Sequence, residues 1–165
     1  MRTRTSALVA VIAATVTVIG VTLVTPVPIV SISDGGSEFV APLDPSESLT
    51  YSYRQSIYQV TVFEELARAD GGIGIRGVRS SDIRSVEYFG WNGEPHIGAD
   101  GLWTEAVPAT VSADRELVIR ITPAGEQRFA TPRWSVVLRP RFGETVVRVR
   151  AEDRPLVVVM LEEAR

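Results

Sequence analysis

The stretch that most constrains this chain is residues 7–24, ALVAVIAATVTVIGVTLV, eighteen consecutive residues with no charge and nothing more polar than threonine. At about 1.5 Å per residue, a helix of that length covers most of a hydrocarbon core roughly 30 Å thick. Its many Val, Ile and Thr residues would weaken a helix in water. In lipid every other conformation leaves backbone groups unpaired, so hydrogen bonding outweighs propensity. The pattern predicts a transmembrane signal anchor over 7–25.

Arg2 and Arg4 precede the span, and no further basic residue occurs until Arg54. The positive-inside rule then leaves residues 1–6 as a cytoplasmic N-terminus and exports the remainder. A basic start and an apolar centre also describe a cleaved secretory signal. The run is longer than the usual apolar centre of about 7–15 residues, and its exit, TLVTPVPIV, lacks an Ala-x-Ala site. The expectation is a retained anchor: a single-pass cell-membrane protein that meets the lipid bilayer through residues 7–25, with its C-terminal domain outside the cytoplasm.

Residues 26–48 read as a linker, since Ser31 to Ser48 is rich in Ser, Gly, Asp and Pro, with a possible short first strand at 38–41. Residues 49–165 form the expected extracytoplasmic β domain. The chain has no cysteine, so neither disulfides nor thiol chemistry is available, and packing must hold the domain together. All 17 basic residues are arginine, set against 20 acidic ones. That balance, together with the exported location, argues against nucleic acid as a partner.

Period-two alternation recurs along the exported part. Leu49, Tyr51 and Tyr53 share one face of a strand, and Tyr58, Val60 and Val62 share a face of the next, joined by a link short enough to make the two antiparallel neighbours. A helical turn competes only over residues 63–70. In GGIGIRGVRS the glycines argue for a bulge or bend in a strand. Asp82 to Trp91 reads as a strand, WNGEPHIGADGLW as a long loop, and further strands are expected at 102–107, 116–122, 134–139, 144–150 and 155–161. Strands 134–139 and 144–150 should pair as a hairpin, with Trp134, Val136 and Leu138 facing inward opposite Val149, Val147 and Thr145. The fold class expected is all-β, a compact antiparallel β-sandwich or barrel of 8–9 short strands behind one N-terminal transmembrane helix.

Catalytic chemistry is sparse. His96 is the single histidine, which removes most zinc architectures, and no GxSxG elbow accompanies it as a base. No metal site and no cofactor is implied. Glu64 and Glu65 are adjacent, so on a strand they point to opposite faces and do not form a ready acid–base pair; Glu64 would need a more distant carboxylate such as Asp70 or Glu87. Tyr88, Phe89, Trp91 and Trp103 flank the long loop and either close the core or line a groove.

At YSYRQSIYQVTVFEEL, followed by GGIGIRGVRSSDIRSVEYFG, the chain resembles the exported proteins of the domain of unknown function 1850 family. Members have a membrane span, a Tyr- or Thr-bearing strand ending in His-Ser, a strand ending in Glu, and a Gly-rich region. Tyr51 and Tyr53 stand in the first strand, Gln55 takes the place of the histidine, and Glu64 or Glu65 matches the acid. The resemblance implies an accessory role at the membrane beside tripartite periplasmic-type transporters, with transporter subunits or a small solute as partner. Two other functions stand beside a membrane-anchored binding domain: an envelope hydrolase using carboxylates near Glu64 or Asp82, and a structural envelope component. The binding candidates are Tyr53, Glu64, Asp82, Trp91, His96 and Trp103, with no catalytic residue assigned.

Overall fold

The computed structural model describes residues 24–69, 72–90, 93–106 and 116–163. Among them, eleven strands form two antiparallel sheets, and neither sheet closes on itself. The smaller sheet has the order β2-β1-β11-β8, from β1 (Pro26–Ser33), β2 (Glu38–Pro42), β8 (Leu117–Arg120) and β11 (Val146–Pro155). The larger has the order β10-β9-β3-β4-β5-β7-β6, from β3 (Leu49–Arg54), β4 (Thr61–Ala69), β5 (Gly72–Ser80), β6 (His96–Ile97), β7 (Trp103–Ala106), β9 (Arg128–Ala130) and β10 (Ser135–Val137). Three helices complete the described chain: α1 (Ile83–Glu87), α2 (Leu138–Phe142) and α3 (Leu156–Glu163). The sandwich-or-barrel expectation of 8–9 strands thus becomes an eleven-stranded, two-sheet arrangement without a barrel.

The sheets close on each other because their strands alternate. Leu49 and Tyr51 of β3, Leu66 of β4, Phe129 of β9 and Val136 of β10 meet Val30 and Ile32 of β1, Ile119 of β8 and Val147, Val149 and Ala151 of β11 in one core. Arg68 of β4 reaches across to Asp153 of β11 with two parallel bonds of 2.8 and 2.7 Å, tying the sheets together at one end. A second, smaller cluster of Val62, Val78 and Val86 lies under α1, with Tyr53, Phe89 and Trp103 against it.

Membrane anchoring is corrected here. Almost all of the expected span 7–25 lies outside the described residues, and no helix among the described residues is long and apolar enough to cross a membrane. From Pro26 the apolar run is a strand, because Pro26 and Pro28 cannot donate to a helix. They are tolerated in β1 because β2 pairs only with Ile29 to Ser33, so the prolines sit where β1 has β11 alone beside it. A signal anchor, a bilayer contact, a single-pass location and a membrane-bound accessory role have no element among the described residues to carry them. What the structure supports is a largely antiparallel β domain.

The segment 26–48 carries two strands, and β1 is the one between β2 and β11, with Ile29 and Val30 fully buried. Residues 63–69 continue β4 without a helical turn, and β5 carries the bulge that its glycines suggested, the register skipping Arg76 between the pairs Glu65–Gly77 and Leu66–Ile75. The 134–150 hairpin is overturned. β10 pairs with β9, residues 138–142 turn into α2, and β11 joins the other sheet between β1 and β8. Val136, Leu138, Val147 and Val149 are nevertheless buried, so the inward face was right and the partner wrong. Beyond Pro155 the run LVVVML is helical, a case in which a short apolar segment does not reveal its period.

Candidate functional site

The pairing registers place five residues in one row on the inner face of the large sheet: Phe129, Tyr51, Glu64, Val78 and Glu105. Directly opposed residues share a face, so two carboxylic acids lie on this otherwise apolar surface, one on each side of Val78. Glu64 is 7% exposed and Glu105 is 2% exposed. The next row runs Tyr53, Val62, Ser80 and Trp103.

Helix α1 covers this second row. Ser80-Ser81-Asp82 ends β5, and the Asp82 side chain accepts from Arg84 N at 3.0 Å as an N-cap, turning the chain so that Val86 drops onto Val62 and Val78. The alternation of Val86 and Tyr88 suggested a strand over 82–91. The cap overrides it, and Tyr88 is left 62% exposed at the helix end.

Tyr51 and Glu64 are solved differently. The Tyr51 hydroxyl accepts from Gln127 Nε2 at 3.2 Å, and Gln127 also donates to Arg120 O at 2.8 Å and accepts from Thr122 N at 3.0 Å, joining the sheets beside β8. Glu64 has no ion pair among the described residues; the hydroxyl of Tyr53 is what favours its charged form. Burial wins, and the Glu64 carboxyl is held above the usual carboxylate range. Burial and then the Glu64 charge push the Tyr53 hydroxyl well above the phenol range, with a smaller push from Tyr88. Glu64 and Tyr53 therefore act on each other on the inner face, the acid buried and the tyrosine half-buried.

Glu105 has a separate task. Its Oε1 accepts from Gly93 N at 2.7 Å, drawing the start of the 93–97 segment onto the sheet. A Cβ on Gly93 would come within 2.7 Å of Glu105 Oε1 and 2.8 Å of its Cγ, so any larger residue here has to displace the Glu105 side chain.

The remaining candidates separate. Asp82 caps α1 and pairs with the exposed Arg84. His96 is exposed on β6, the edge strand of the large sheet, opposite Thr104. Trp103 packs half-buried on the valine cluster under α1. Trp91 lies outside the described residues. Glu65 faces away from Glu64, bound to Arg79 at 2.6 Å on the outer side of the sheet. Arg79 also pairs with Asp100. Among the described residues no group of three or more Asp, Glu or His is placed to hold a metal ion.

Sequence reasoning missed Glu105 and Gln127. The signal for Glu105 was present, because Trp103 and Glu105 are two apart on an expected strand and must share a face. Gln127 gave none, since it acts across two sheets. No family model matches the chain, and no curated protein or solved structure does either.

Proposed function

We propose that this β domain is a binding module, with its ligand seated at the half-buried Tyr53 beside Glu64. The observation that carries the reading is Glu64, a carboxyl 7% exposed that has a tyrosine hydroxyl in place of a cation. Burying an unpaired acid costs stability, and such groups concentrate at sites that meet something from outside. The polar groups here recognise; they are not arranged as a nucleophile with its base. Tyr51, Tyr53 and either Glu64 or Glu65 are also among the residues on which the resemblance to the domain of unknown function 1850 family rests, and we propose that the resemblance reflects this shared site.

The test is a mixture screen of polar metabolites by NMR on the full chain with labelled tyrosine rings. Binders should move the Tyr53 resonance, and Tyr53→Ala and Glu64→Ala should remove the effect. Binders that all map to other surfaces would overturn the assignment.

A further inference from the structure

Beyond that site, we infer that the free edge of β8 is a docking surface for an acidic peptide, which adds to the smaller sheet as a further strand. β8 ends that sheet, with β11 on one side and no strand among the described residues on the other. The register shows which backbone groups it leaves open. Ile121 N donates to Thr145 O at 2.8 Å, and Ile119 and Leu117 oppose Val147 and Val149, so these alternate residues spend their ladder groups on β11. The amides and carbonyls of Val118 and Arg120 therefore point to the opposite edge. The side chain of Gln127 fits this direction, reaching Arg120 O at 2.8 Å and accepting from Thr122 N at 3.0 Å in the place that a neighbouring strand would occupy. Its amide stops at Arg120 O. The N–H and C=O of Val118 and the N–H of Arg120 have no such partner among the described residues.

The other edge of the same sheet is capped at both ends. Leu43 N bonds to Pro28 O, which leaves Pro42, Val40 and Glu38 turned outward on β2. Trp134 Nε1 then donates to Pro42 O at 2.8 Å, and Arg141 donates to Glu38 O at 3.1 Å. Open edges invite strand pairing, and proteins that take up extended peptides use them in this way. The side chains beside β8 define the peptide. Opposed residues share a face, so Val118 and Arg120 stand on the outer face with Arg148 and Val146 of β11. Val118 is 54% exposed and Val146 39%. On this face Arg148 and Arg150 share the carboxylate of Glu116, at 3.0 and 2.7 Å, and Arg120 pairs with no acid among the described residues. Three guanidinium groups thus stand against one carboxylate, a surplus that favours an acid and repels a base. A cleft of about 440 Å³, lined in part by Arg120, Thr122, Pro123, Thr145 and Val146, keeps that end of the face open. In an antiparallel addition the peptide residue opposite Val118 exchanges both ladder bonds with it, and the residue two positions earlier meets Arg120. The matching sequence is an acid, any residue, then valine or another β-branched residue.

The experiment adds the peptide acetyl-Thr-Glu-Thr-Val-Thr-Thr-amide to the full chain and follows backbone amide resonances and amide exchange. A peptide with Lys for Glu and one with N-methyl-valine are the controls. In the free chain the Val118 amide should exchange fast, and the Glu peptide should shift and protect Val118 and Arg120. It should bind about fivefold or more tighter than the Lys peptide at low salt and lose that advantage in about 1 M salt. N-methylation at valine removes the donor to Val118 O and should abolish binding. Arg120→Glu, at an exposed position, should reverse the preference between the Glu and Lys peptides, whereas Arg128→Ala, on the larger sheet, should leave it unchanged. Equal affinity for the two peptides, or a preference that survives Arg120→Glu, overturns the acidic assignment. Undiminished binding of the N-methyl peptide, shifts confined to other strands, or no shift at millimolar peptide overturns strand addition. A Val118 amide already protected in the free monomer means that the chain covers its own edge, and protection that appears only on dimerisation means that a second copy fills it; either result overturns the proposal. None of these outcomes depends on Tyr53 or Glu64, so the site proposed there stands or falls separately.

Discussion

Tyr51 and Glu64 face each other across the β3–β4 ladder, both buried, yet Tyr51 is tied to the opposite sheet through Gln127 while Glu64 is not. Gln127 supplies that tie with three hydrogen bonds at once, to Tyr51 Oη, Arg120 O and Thr122 N. Gln127→Leu keeps the volume and removes all three. It should destabilise the domain by about 1–3 kcal/mol, the cost of leaving partly buried partners unmade. A denaturation midpoint equal to that of the wild type would show that water replaces the amide without loss.

Val147 and Glu144 separate packing from surface charge. Val147 is fully buried in the core, whereas Glu144 pairs with Arg139 at 2.8 Å with both side chains about half exposed. Val147→Ala should cost about 1–3 kcal/mol through lost contacts and the space left behind. Glu144→Ala should change stability by less than about 0.5 kcal/mol, as isolated surface pairs do. Equal shifts in urea midpoint would contradict the placement of β11.

Much of this was legible where the partner is a neighbour in the chain. The β3–β4 pair follows from alternation and a short link, although β4 begins at Thr61 and leaves Tyr58 and Val60 in the link, the bulge in β5 follows from its glycines, and the opposed directions of Glu64 and Glu65 from the strand period alone. Val147 and Val149 were assigned to the inward face, but alternation does not say which strand lies alongside. β11 finds β1, more than a hundred residues away, and such pairing leaves no local mark. Helix α1 was hidden because five residues are too few to show a period, and Asp82, its cap, was read as the start of a strand. At the site, Tyr53 and Glu64 were named from the sequence, and their nearness follows from the β3–β4 register.

The N-terminal boundary of the fold makes a sharp experiment. β1 contributes Ile29, Val30 and Ile32, all fully buried, and pairs with β11 along its length and with β2 from Ile29 to Ser33. A chain beginning at residue 24 keeps the whole strand and should unfold cooperatively. One beginning at residue 31 loses Ile29, Val30 and most of the β11 ladder, and should populate a form with poor near-ultraviolet dichroism and rapid amide exchange in β11. Native-like exchange protection in the shorter chain would mean that β2 and β11 close without β1.

Gly93 and Glu105 should behave as a unit. Because a methyl on Gly93 would collide with Glu105 Oε1 and Cγ, Gly93→Ala must push aside a carboxylate that is packed on the inner face. The expected loss is about 1–3 kcal/mol, as for other overpacked sites. Glu105→Ala alone leaves Gly93 N without its acceptor and is also destabilising. The double variant removes the collision and should be more stable than the sum of the single losses implies. Additive midpoints would refute the close approach.

Glu64 gives the fold a pH dependence whose sign can be worked out. Burial raises its carboxyl above the ordinary value of 4.5, with the Tyr53 hydroxyl offsetting part of the shift. A carboxyl raised in the folded state binds its proton more tightly there than in the unfolded chain, so folding is favoured wherever that proton is retained. This contribution is fully present below pH 4.5 and is lost as pH rises through the folded value, after which it stays flat. Asp153 acts in the opposite sense, since the Arg68 guanidinium lowers its carboxyl and its stabilisation fades as pH falls below the ordinary aspartate range. Comparing Glu64→Gln with the wild type cancels that second effect, because Asp153 is present in both. The glutamine should match the acid at low pH and exceed it in stability near neutrality, with the gap opening over the range in which Glu64 ionises. Urea titrations of the two proteins at half-unit pH steps would measure the gap directly. A difference that is constant with pH would mean that Glu64 has the same proton affinity folded and unfolded. In that case water reaches its carboxyl in solution.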